Sequence, residues 1–265
     1  MDGIIILDKP KGPTSRFVVS QIKSLFKSKA GHVGTLDPKV TGVLPIFMGK
    51  ATKLVEIMER SDKEYVGKMR LHKDVDEKTL RDEMKRFVGT IEQVPPVRSA
   101  VKRVPRKRKI YEFQLISKSG KLADFRVKCE AGTYVRKLVH DLGENIGGAH
   151  MVELRRTMAG PFTLDDAKKM DEIRKEMFDA VLPVETLKKF YKSVQIKKTA
   201  EFSVTHGSPI FKNGIQKVDP SKPGELLLIL DHDGFVIGLG EYVGKKIEVK
   251  VKSVIHQVSK SETNL

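Results

Sequence analysis

A single carboxylate, Asp37, lies in the glycine-punctuated segment GHVGTLDPKVTGVL, residues 31–44, between two apolar stretches. Gly34 and Gly42 allow backbone conformations that other residues resist, and Pro38 fixes the chain directly after the acid. A turn held in this way can aim a carboxylate that acts as a nucleophile or a base. Most Asp-Pro pairs only hydrogen-bond their own turn. The spacing alone therefore leaves both interpretations open.

A second group of chemically active residues is the basic run KRVPRKRK at residues 102–109, which places six cations in eight residues around a proline. We interpret it as a loop that grips an RNA backbone; the alternative is a solvated or disordered tip. If about six phosphates of single-stranded RNA are engaged, affinity should fall with log salt at a slope of roughly −4. The cations are Lys102, Arg103, Arg106, Lys107, Arg108 and Lys109.

The composition agrees with a polyanionic partner, because Lys and Arg total 50 against 34 Asp and Glu, a net charge of +16. Charge alone would equally describe a lysine-rich solvated surface. The seven histidines and the lone Cys129 show no metal-ligand spacing, and no phosphate-binding glycine loop is present. We therefore expect chemistry without a metal or a bound cofactor. The single cysteine and the lack of a membrane-length apolar stretch predict a soluble, cytoplasmic protein.

Several elements must position these residues. A short apolar strand at residues 4–7 precedes a helix capped near Thr14, a strand runs over residues 43–47, and a second helix with apolar positions from 135 to 146 follows. Helices and strands alternate without βαβ regularity, which is typical of an α+β fold. Near Lys192 the sequence pattern changes from helical to short strands separated by glycines. We predict two domains, residues 1–192 and a compact β-rich module at residues 193–265.

Four blocks of the chain resemble the pseudouridine synthases of the TruB and dyskerin type, in the order in which the family carries them. GxxGTLDPxxTGVL is similar to the nucleophile motif, and GIIILDKPKGPTS at residues 3–15 to the opening of the family. KEYVGKMRLH at residues 63–72 resembles its tyrosine-bearing strand, and EAGTYVRKL at residues 130–138 its arginine-bearing segment. The sequences DPKVTG and MRLH resemble the archaeal and eukaryotic dyskerin branch more than the bacterial tRNA branch.

The resemblance implies a mixed, mainly antiparallel sheet flanked by helices, followed by a small β-barrel of the PUA type. The segment VTHGSP at residues 204–209 resembles such a PUA domain, so His206 and Gly207 are candidate RNA-binding residues. Its glycines would equally be needed by tight hairpins. In the family the region of residues 102–109 is the thumb loop that closes on RNA.

The resemblance also implies roles for five residues. Asp37 would be the catalytic carboxylate, and Arg136 would pair with it, keeping it ionised and oriented. Tyr65 would stack on or hydrogen-bond the flipped uracil, while Tyr134 and Leu154 would line the same pocket. Three of them have plain alternatives: Tyr65 as a cross-strand core tyrosine, Arg136 as an arginine on a solvated helix start, and Leu154 as an ordinary buried leucine.

The implied activity is isomerisation of uridine to pseudouridine in RNA, as in the catalytic subunit of box H/ACA particles, in which a guide RNA selects a uridine of rRNA. Its partners there are two small proteins and a kink-turn-binding ribosomal-type protein. Dyskerin-like proteins usually carry a longer N-terminal extension than precedes the IIILDKP strand, so the resemblance gives weaker support for guide docking on the C-terminal module. The alternatives are a guide-independent synthase of the tRNA T-loop and a non-catalytic RNA-binding scaffold.

Overall fold

The structure, a computed structural model, describes residues 1–95, 102–244 and 247–255. A large sheet with helices against it forms from the first part of the chain. Its strands are β1 (Gly3–Lys9), β2 (Ala30–His32), β3 (Val40–Met48), β4 (Lys63–Leu71), β5 (Gly89–Gln93), β6 (Arg106–Ser119), β7 (Leu122–Cys129), β8 (Ala149–Ala159) and β9 (Phe162–Thr163). The helices are α1 (Ser15–Phe26), α2 (Val55–Glu59), α3 (Glu77–Arg86), α4 (Val135–Ile146) and α5 (Met170–Glu176), with short 3₁₀ helices at Gly49–Leu54, Leu164–Asp166, Met177–Ala180 and Val184–Lys189.

The strands of this sheet follow the order β1-β3-β8-β4-β7-β6-β5, with β2 added to β3 and β9 to β8. Neighbouring strands are antiparallel except β3 and β8, which run parallel and pair only over Val40–Gly42 and Leu154–Arg156. This confirms the predicted mixed, mainly antiparallel sheet flanked by helices. The short β3–β8 pairing also means that the two strands diverge close to Asp37.

Two helices form where the sequence predicts them. Helix α1 begins after Thr14, whose hydroxyl accepts a hydrogen bond from the backbone N–H of Phe17 at 3.1 Å, an N-cap that satisfies a free donor of the first turn. Helix α4 spans Val135–Ile146, and its apolar face, with Leu138, Val139 and Leu142 fully buried, packs into the main core. The N-terminus of α4 is thereby fixed relative to the sheet.

The second sheet begins at Ser193. Within the described residues it contains β10 (Ser193–Ile196), β11 (Ile210–Phe211), β12 (Ile215–Val218), β13 (Leu226–Leu230), β14 (Val236–Tyr242) and β15 (Ile247–Val254), with helix α6 (Lys198–Thr205) and a 3₁₀ turn at Lys212–Gly214. Its order is β11-β15-β14-β13-β10-β12. The predicted β-rich module is therefore present, whereas its identity as a PUA domain and the boundary at residue 192 stay predictions. Residues 256–265 lie outside the described part.

Buried side chains join the two sheets. One cluster combines Val43 and Phe47 of β3 with Leu228 of β13 and Leu239 of β14. Cys129 is a buried free thiol, and burial raises its pKa to about 12. Within the described part of the chain, no helix has the length and apolar character needed to cross a membrane.

Candidate active site

The Asp37 turn lies between β2 and β3 and is tied to the start of α1. The Ser15 hydroxyl, which is buried, donates to the carbonyl of Leu36 at 2.8 Å and accepts from its N–H at 2.9 Å. The N–H of Gly12 donates to the carbonyl of Pro38 at 2.8 Å, on the other side of the acid. The carboxylate itself is exposed over 55% of its side-chain surface. The backbone around Asp37 is therefore held while its side chain faces solvent.

The two glycines of the turn are required by their surroundings. Gly42 has φ +104°, and a Cβ added to it would lie 2.1 Å from the carbonyl oxygen of Arg156 on the neighbouring strand. Gly34 has φ +67° and a Cβ there would lie 3.0 Å from the Arg156 guanidinium. At Gly42, both the lack of room and the positive φ exclude any residue that has a Cβ atom. The glycine spacing thus lets β3 approach β8 directly beside the acid.

Arg136 reaches Asp37 from the first turn of α4, 99 residues further along the chain. Its Nη2 donates to Asp37 Oδ2 at 2.6 Å. Both side chains are more than half exposed, so the ion pair contributes little to folding stability. The structure brings these two residues together as the sequence analysis expects, and their roles in catalysis are taken up below.

Tyr65 and Leu154 lie on the adjacent strands β4 and β8, on the face of the sheet that also carries Arg156. Tyr65 is half-buried against the main core and pairs across the strands with Arg156. Burial raises the pKa of its hydroxyl, and the charge and hydrogen bond of Arg156 only partly oppose this. The phenol is consequently a proton-bearing donor at neutral pH. Leu154 is buried and pairs with Val40, the residue that opens β3.

Tyr134 holds the N-cap position of α4. Its N–H donates to Gln93 Oε1 at 3.0 Å and its carbonyl accepts from Gln93 Nε2 at 3.2 Å. Gln93 is itself buried at the end of β5. This amide clamp fixes the helix start and, two residues later, the guanidinium of Arg136. A contact between the Tyr134 ring and substrate stays a prediction.

Three buried cations beneath the turn had no role in the sequence analysis; we call Lys9, Lys63 and Arg156 the cation layer. Their exposed fractions are 0%, 5% and 1%. Arg156 donates to the carbonyl of Val43 at 2.7 Å, and Lys9 Nζ donates to the carbonyl of Val40 at 2.9 Å. Lys9 and Arg156 therefore hold β3 through its carbonyl oxygens, whereas Lys63 donates to the carbonyl of Glu59 at 3.0 Å. Lys9 and Lys63 lie inside quoted motifs and Arg156 two residues after Leu154, but only the structure shows that they are buried.

The electrostatics of the cation layer bear on the site. Burial lowers the pKa of Lys63 to about 8, with the charge of Arg156 as the next cause. Burial likewise lowers the pKa of Lys9, while the charge of Asp37 acts in the opposite direction. His32, beside the turn, also has a lowered pKa, first through burial and then through Arg156 and Arg16. An anion that forms near Asp37 would thus meet a positive potential from below.

The basic run does not form a single loop. Residues 102–105, with Lys102 and Arg103, lie outside regular structure, whereas Arg106 to Lys109 open strand β6 and pair with β5. The loop prediction is therefore wrong for the second half of the run. Pairing with β5 satisfies the backbone groups there, and the side chains alternate between more and less exposed positions. Lys109 also exchanges backbone and carboxylate hydrogen bonds with Glu130.

This strand pairing brings the basic run close to the segment that leads into α4. The guanidinium of Arg108 lies 3.0 Å from the position of a Cβ on Gly132, two residues before Tyr134. Cations of β6 therefore extend the positive surface from Arg136 outward. Binding of RNA by this run, to which we assign the residues from Lys102 to Lys109, stays a prediction.

His206 and Gly207 lie at the end of α6 in the second sheet. The His206 ring stacks on Phe202 with 4.3 Å between ring centroids, and its Nδ1 lies 2.7 Å from the Phe202 carbonyl oxygen. Gly207 has φ +89° with open space around it. Both are exposed, and their contact with RNA stays a prediction. Across the described residues, no group of three or more His, Cys, Asp or Glu is placed to hold a metal ion.

Comparison with known proteins identifies this arrangement. Residues 23–135 match the family model of the TruB family pseudouridylate synthase N-terminal domain, and residues 136–190 match that of the tRNA pseudouridylate synthase B C-terminal domain. "Probable tRNA pseudouridine synthase B" of Methanopyrus kandleri is 47% identical over 91% of this chain and 75% of its own length. The protein of the same name from Nanoarchaeum equitans is 43% identical over 89% of this chain and 72% of its own length.

Solved structures give the same result. A Cbf5-Nop10-Gar1 complex contains a chain with a TM-score of 0.89 and 40% identity, over 96% of this chain and 85% of that one. An H/ACA RNP bound to a substrate RNA containing 2′-deoxyuridine contains a chain with a TM-score of 0.85 and 38% identity, again over 96% and 85%.

Proposed function

The chain belongs to the TruB family of pseudouridylate synthases, enzymes that isomerise uridine in RNA, and from this we propose that Asp37 is its catalytic carboxylate. The observation that carries the proposal is the 2.6 Å contact between Arg136 and Asp37, made across 99 residues by two exposed side chains. A surface ion pair of this kind adds little stability. Its geometry is therefore better explained by what it does for the carboxylate.

The reaction breaks the glycosidic bond, turns the uracil and rejoins it through carbon, with no external reagent. The target nucleotide must first leave its stack, at a cost of a few kcal/mol. In our assignment Tyr65 holds the base, Tyr134 and Leu154 line the same pocket, and Arg136 orients Asp37. Attack of the carboxylate on the sugar C1′, addition to the base and removal of a sugar proton all begin from this arrangement.

We further propose that a guide RNA selects the uridine, in rRNA, as the catalytic subunit of an H/ACA particle. Support comes from the similarity to chains in a Cbf5-Nop10-Gar1 complex and in an H/ACA RNP bound to substrate RNA, over 96% of this chain. The partners would be two small particle proteins and a kink-turn-binding ribosomal-type protein. Residues 193–265 would form a PUA domain that binds RNA through the region of His206 and Gly207, and residues 1–192 the catalytic domain.

A second candidate function is guide-independent modification of tRNA at a T-loop uridine. The names of the curated relatives, "Probable tRNA pseudouridine synthase B", and the matching tRNA-synthase C-terminal model favour it. The two functions use the same Asp37 chemistry and differ in how the uridine is presented. One enzyme can perform both.

The test measures pseudouridine formation on uridine-labelled RNA by the wild type, by Asp37→Asn and by Asp82→Asn, a control that removes a carboxylate from the exposed face of α3. The substrates are free tRNA and a guide RNA annealed to its matched target in the presence of the partner proteins. Product that requires Asp37 and the guide supports the H/ACA assignment, and product on free tRNA supports the second candidate. Full activity of Asp37→Asn would show that Asp37 is not the catalytic carboxylate. RNA binding by the wild type without any product would support the non-catalytic RNA-binding scaffold instead.

A further inference from the structure

A cation-lined cleft opens beside the Asp37 turn, where β3 and β8 diverge. The two strands pair over three positions only, so that Lys39 on one side and Glu153 on the other separate towards solvent. The resulting cleft has a volume of ≈ 360 Å³. The residues that line it come from two parts of the chain: Lys11, Lys39 and Thr41, which we call the first wall, and Val66, Gly67, Lys68, Asp124, Glu153, Leu154 and Arg155, which we call the second wall.

The charges on the two walls are balanced differently. On the second wall Lys68 pairs with Asp124 at 3.3 Å, and Arg155 pairs with Asp8 at 2.8 Å. On the first wall Lys11 and Lys39 are exposed, and neither has an ion pair or a side-chain hydrogen bond with the residues that the structure describes. Two ammonium groups on one wall repel each other unless an anion lies between them. This wall is therefore complementary to an anion.

The position of this wall relative to Asp37 is fixed by the backbone. Lys39 follows the acid by two residues, and the hydrogen bond from Gly12 to the Pro38 carbonyl at 2.8 Å fastens the loop of Lys11 to the same turn. Leu154 also lines the cleft, although its side chain packs into the main core on the other face of the sheet. An RNA strand that delivers a uridine to Asp37 must carry a phosphodiester on each side of that nucleotide. Two residues of chain span at most about 7 Å, so the side chain of Lys39 can reach one of these phosphodiesters.

We propose that Lys11 and Lys39 form a phosphate subsite for the phosphodiester next to the target uridine. The inference rests on the proposed function and adds two substrate-binding residues to it. The ammonium groups bind the phosphate oxygens, and the Thr41 hydroxyl lies within the same wall. Glu153, a carboxylate with no ion pair among the described residues, lies opposite and limits the affinity.

The test compares RNA affinity as a function of salt in the Asp37→Asn background, which prevents turnover during the measurement. The probes are a fluorescein-labelled unmodified tRNA transcript and a labelled guide–target pair, titrated between about 50 and 200 mM salt. Lys11→Gln/Lys39→Gln should weaken binding roughly tenfold at the lowest salt. Its plot of log affinity against log salt should be less steep by about 0.7 to 0.9, the contribution of one phosphate.

The matched control is Lys23→Gln/Lys78→Gln, which removes the same two charges from exposed positions on α1 and α3. It should retain the wild-type slope within the error of the measurement. Glu153→Gln should tighten binding, because it removes a negative charge that faces the phosphate. An unchanged slope in Lys11→Gln/Lys39→Gln, or an equal loss in the control pair, would overturn the subsite. Either result leaves the proposed function intact as long as product formation depends on Asp37.

Discussion

The buried ammonium of Lys63 makes the stability of this protein depend on pH in a predictable direction. Lys63 is 5% exposed at the start of β4 and donates to the carbonyl oxygens of Glu59 at 3.0 Å and of Ser61. Burial lowers its pKa from 10.5 to about 8. Replacement by methionine, which fills a similar volume without a charge, removes this titration.

The sign follows from proton linkage. Above the folded-state pKa of about 8 the unfolded chain, with a pKa of 10.5, holds more protons at this position than the folded one. The free energy of unfolding therefore rises with pH across this window and reaches its full value above the unfolded pKa. Between pH 7 and 9 the rise attributable to Lys63 is about 1.3 kcal/mol, out of roughly 3 kcal/mol for the whole interval.

Cys129 acts in the opposite direction. Its raised pKa, about 12, stabilises the fold at low pH, and that stability begins to be lost as the pH approaches the ordinary thiol value of 9.0. By pH 9 the loss is about 0.4 kcal/mol. Cys129 is present in both proteins, so the difference between wild type and Lys63→Met cancels the part of this contribution that comes from burial, the main cause of the shift. The charge of Lys63, which lowers the pKa of Cys129, is a smaller cause that the variant removes.

The assay is urea unfolding of wild type, Lys63→Met and Lys68→Met at several pH values from 7 to 9. Lys68 lies on the same strand but is 37% exposed, so it serves as the control. From pH 7 to pH 9, the free energy of unfolding of the wild type should rise by about 1.3 kcal/mol more than that of Lys63→Met. Relative to Lys68→Met, no comparable rise is expected. A flat or falling difference would refute the argument that burial destabilises the Lys63 cation.

Three substitutions at the site give further expectations. Arg136→Gln should lower kcat roughly 100-fold through misorientation of Asp37 while changing the free energy of unfolding by less than about 1 kcal/mol, because the ion pair is exposed; single-turnover rates and urea unfolding measure both. Ser15→Ala leaves both backbone groups of Leu36 without their partner and should destabilise by about 2 to 4 kcal/mol, seen as a lower midpoint of thermal unfolding. Gly42→Ala places a Cβ 2.1 Å from a carbonyl oxygen and should destabilise by more than about 3 kcal/mol, measured by urea unfolding or by loss of soluble protein.

Each of these has an outcome that contradicts it. A large loss of stability in Arg136→Gln would mean that the pair is structural, and a wild-type melting midpoint in Ser15→Ala would mean that Leu36 finds other partners. Gly12→Ala is the control for the glycine substitution, because Gly12 has φ +113° but nothing within 4 Å of the added Cβ. It should cost only the conformational strain, about 1 to 3 kcal/mol. Equal effects at the two glycines would exclude close packing as the cause.

Much of the fold follows from local sequence patterns. The apolar positions from Val135 to Ile146 recur at helical spacing, and the structure has α4 over those residues. The hydroxyl of Thr14 caps α1 as its position before an apolar run predicts. The glycines and the proline around Asp37 determine a turn in any context, because their backbone restrictions are intrinsic. These features depend on residues close together in the chain, which is why the sequence suffices for them.

The basic run shows where local patterns fail. Residues 106–109 look like a loop in isolation, since clustered cations and a preceding proline favour solvent. They form a strand because β5 lies beside them and pairs with each in turn. Strand formation of this kind depends on a partner elsewhere in the chain. No pattern within the run itself contains that information.

The composition of the candidate site divides in the same way. The glycines and the proline around Asp37 predict a constrained turn from the sequence alone, and the family motifs predict that Tyr65 and Arg136 lie near it. Only the packing of the folded chain brings Arg136 to 2.6 Å from Asp37, buries Arg156 beside the turn and places Lys11 and Lys39 along one cleft. Distances between residues far apart in sequence depend on how β3, β8 and α4 pack. Burial and charge pairing, which set the chemistry of the site, follow from that packing.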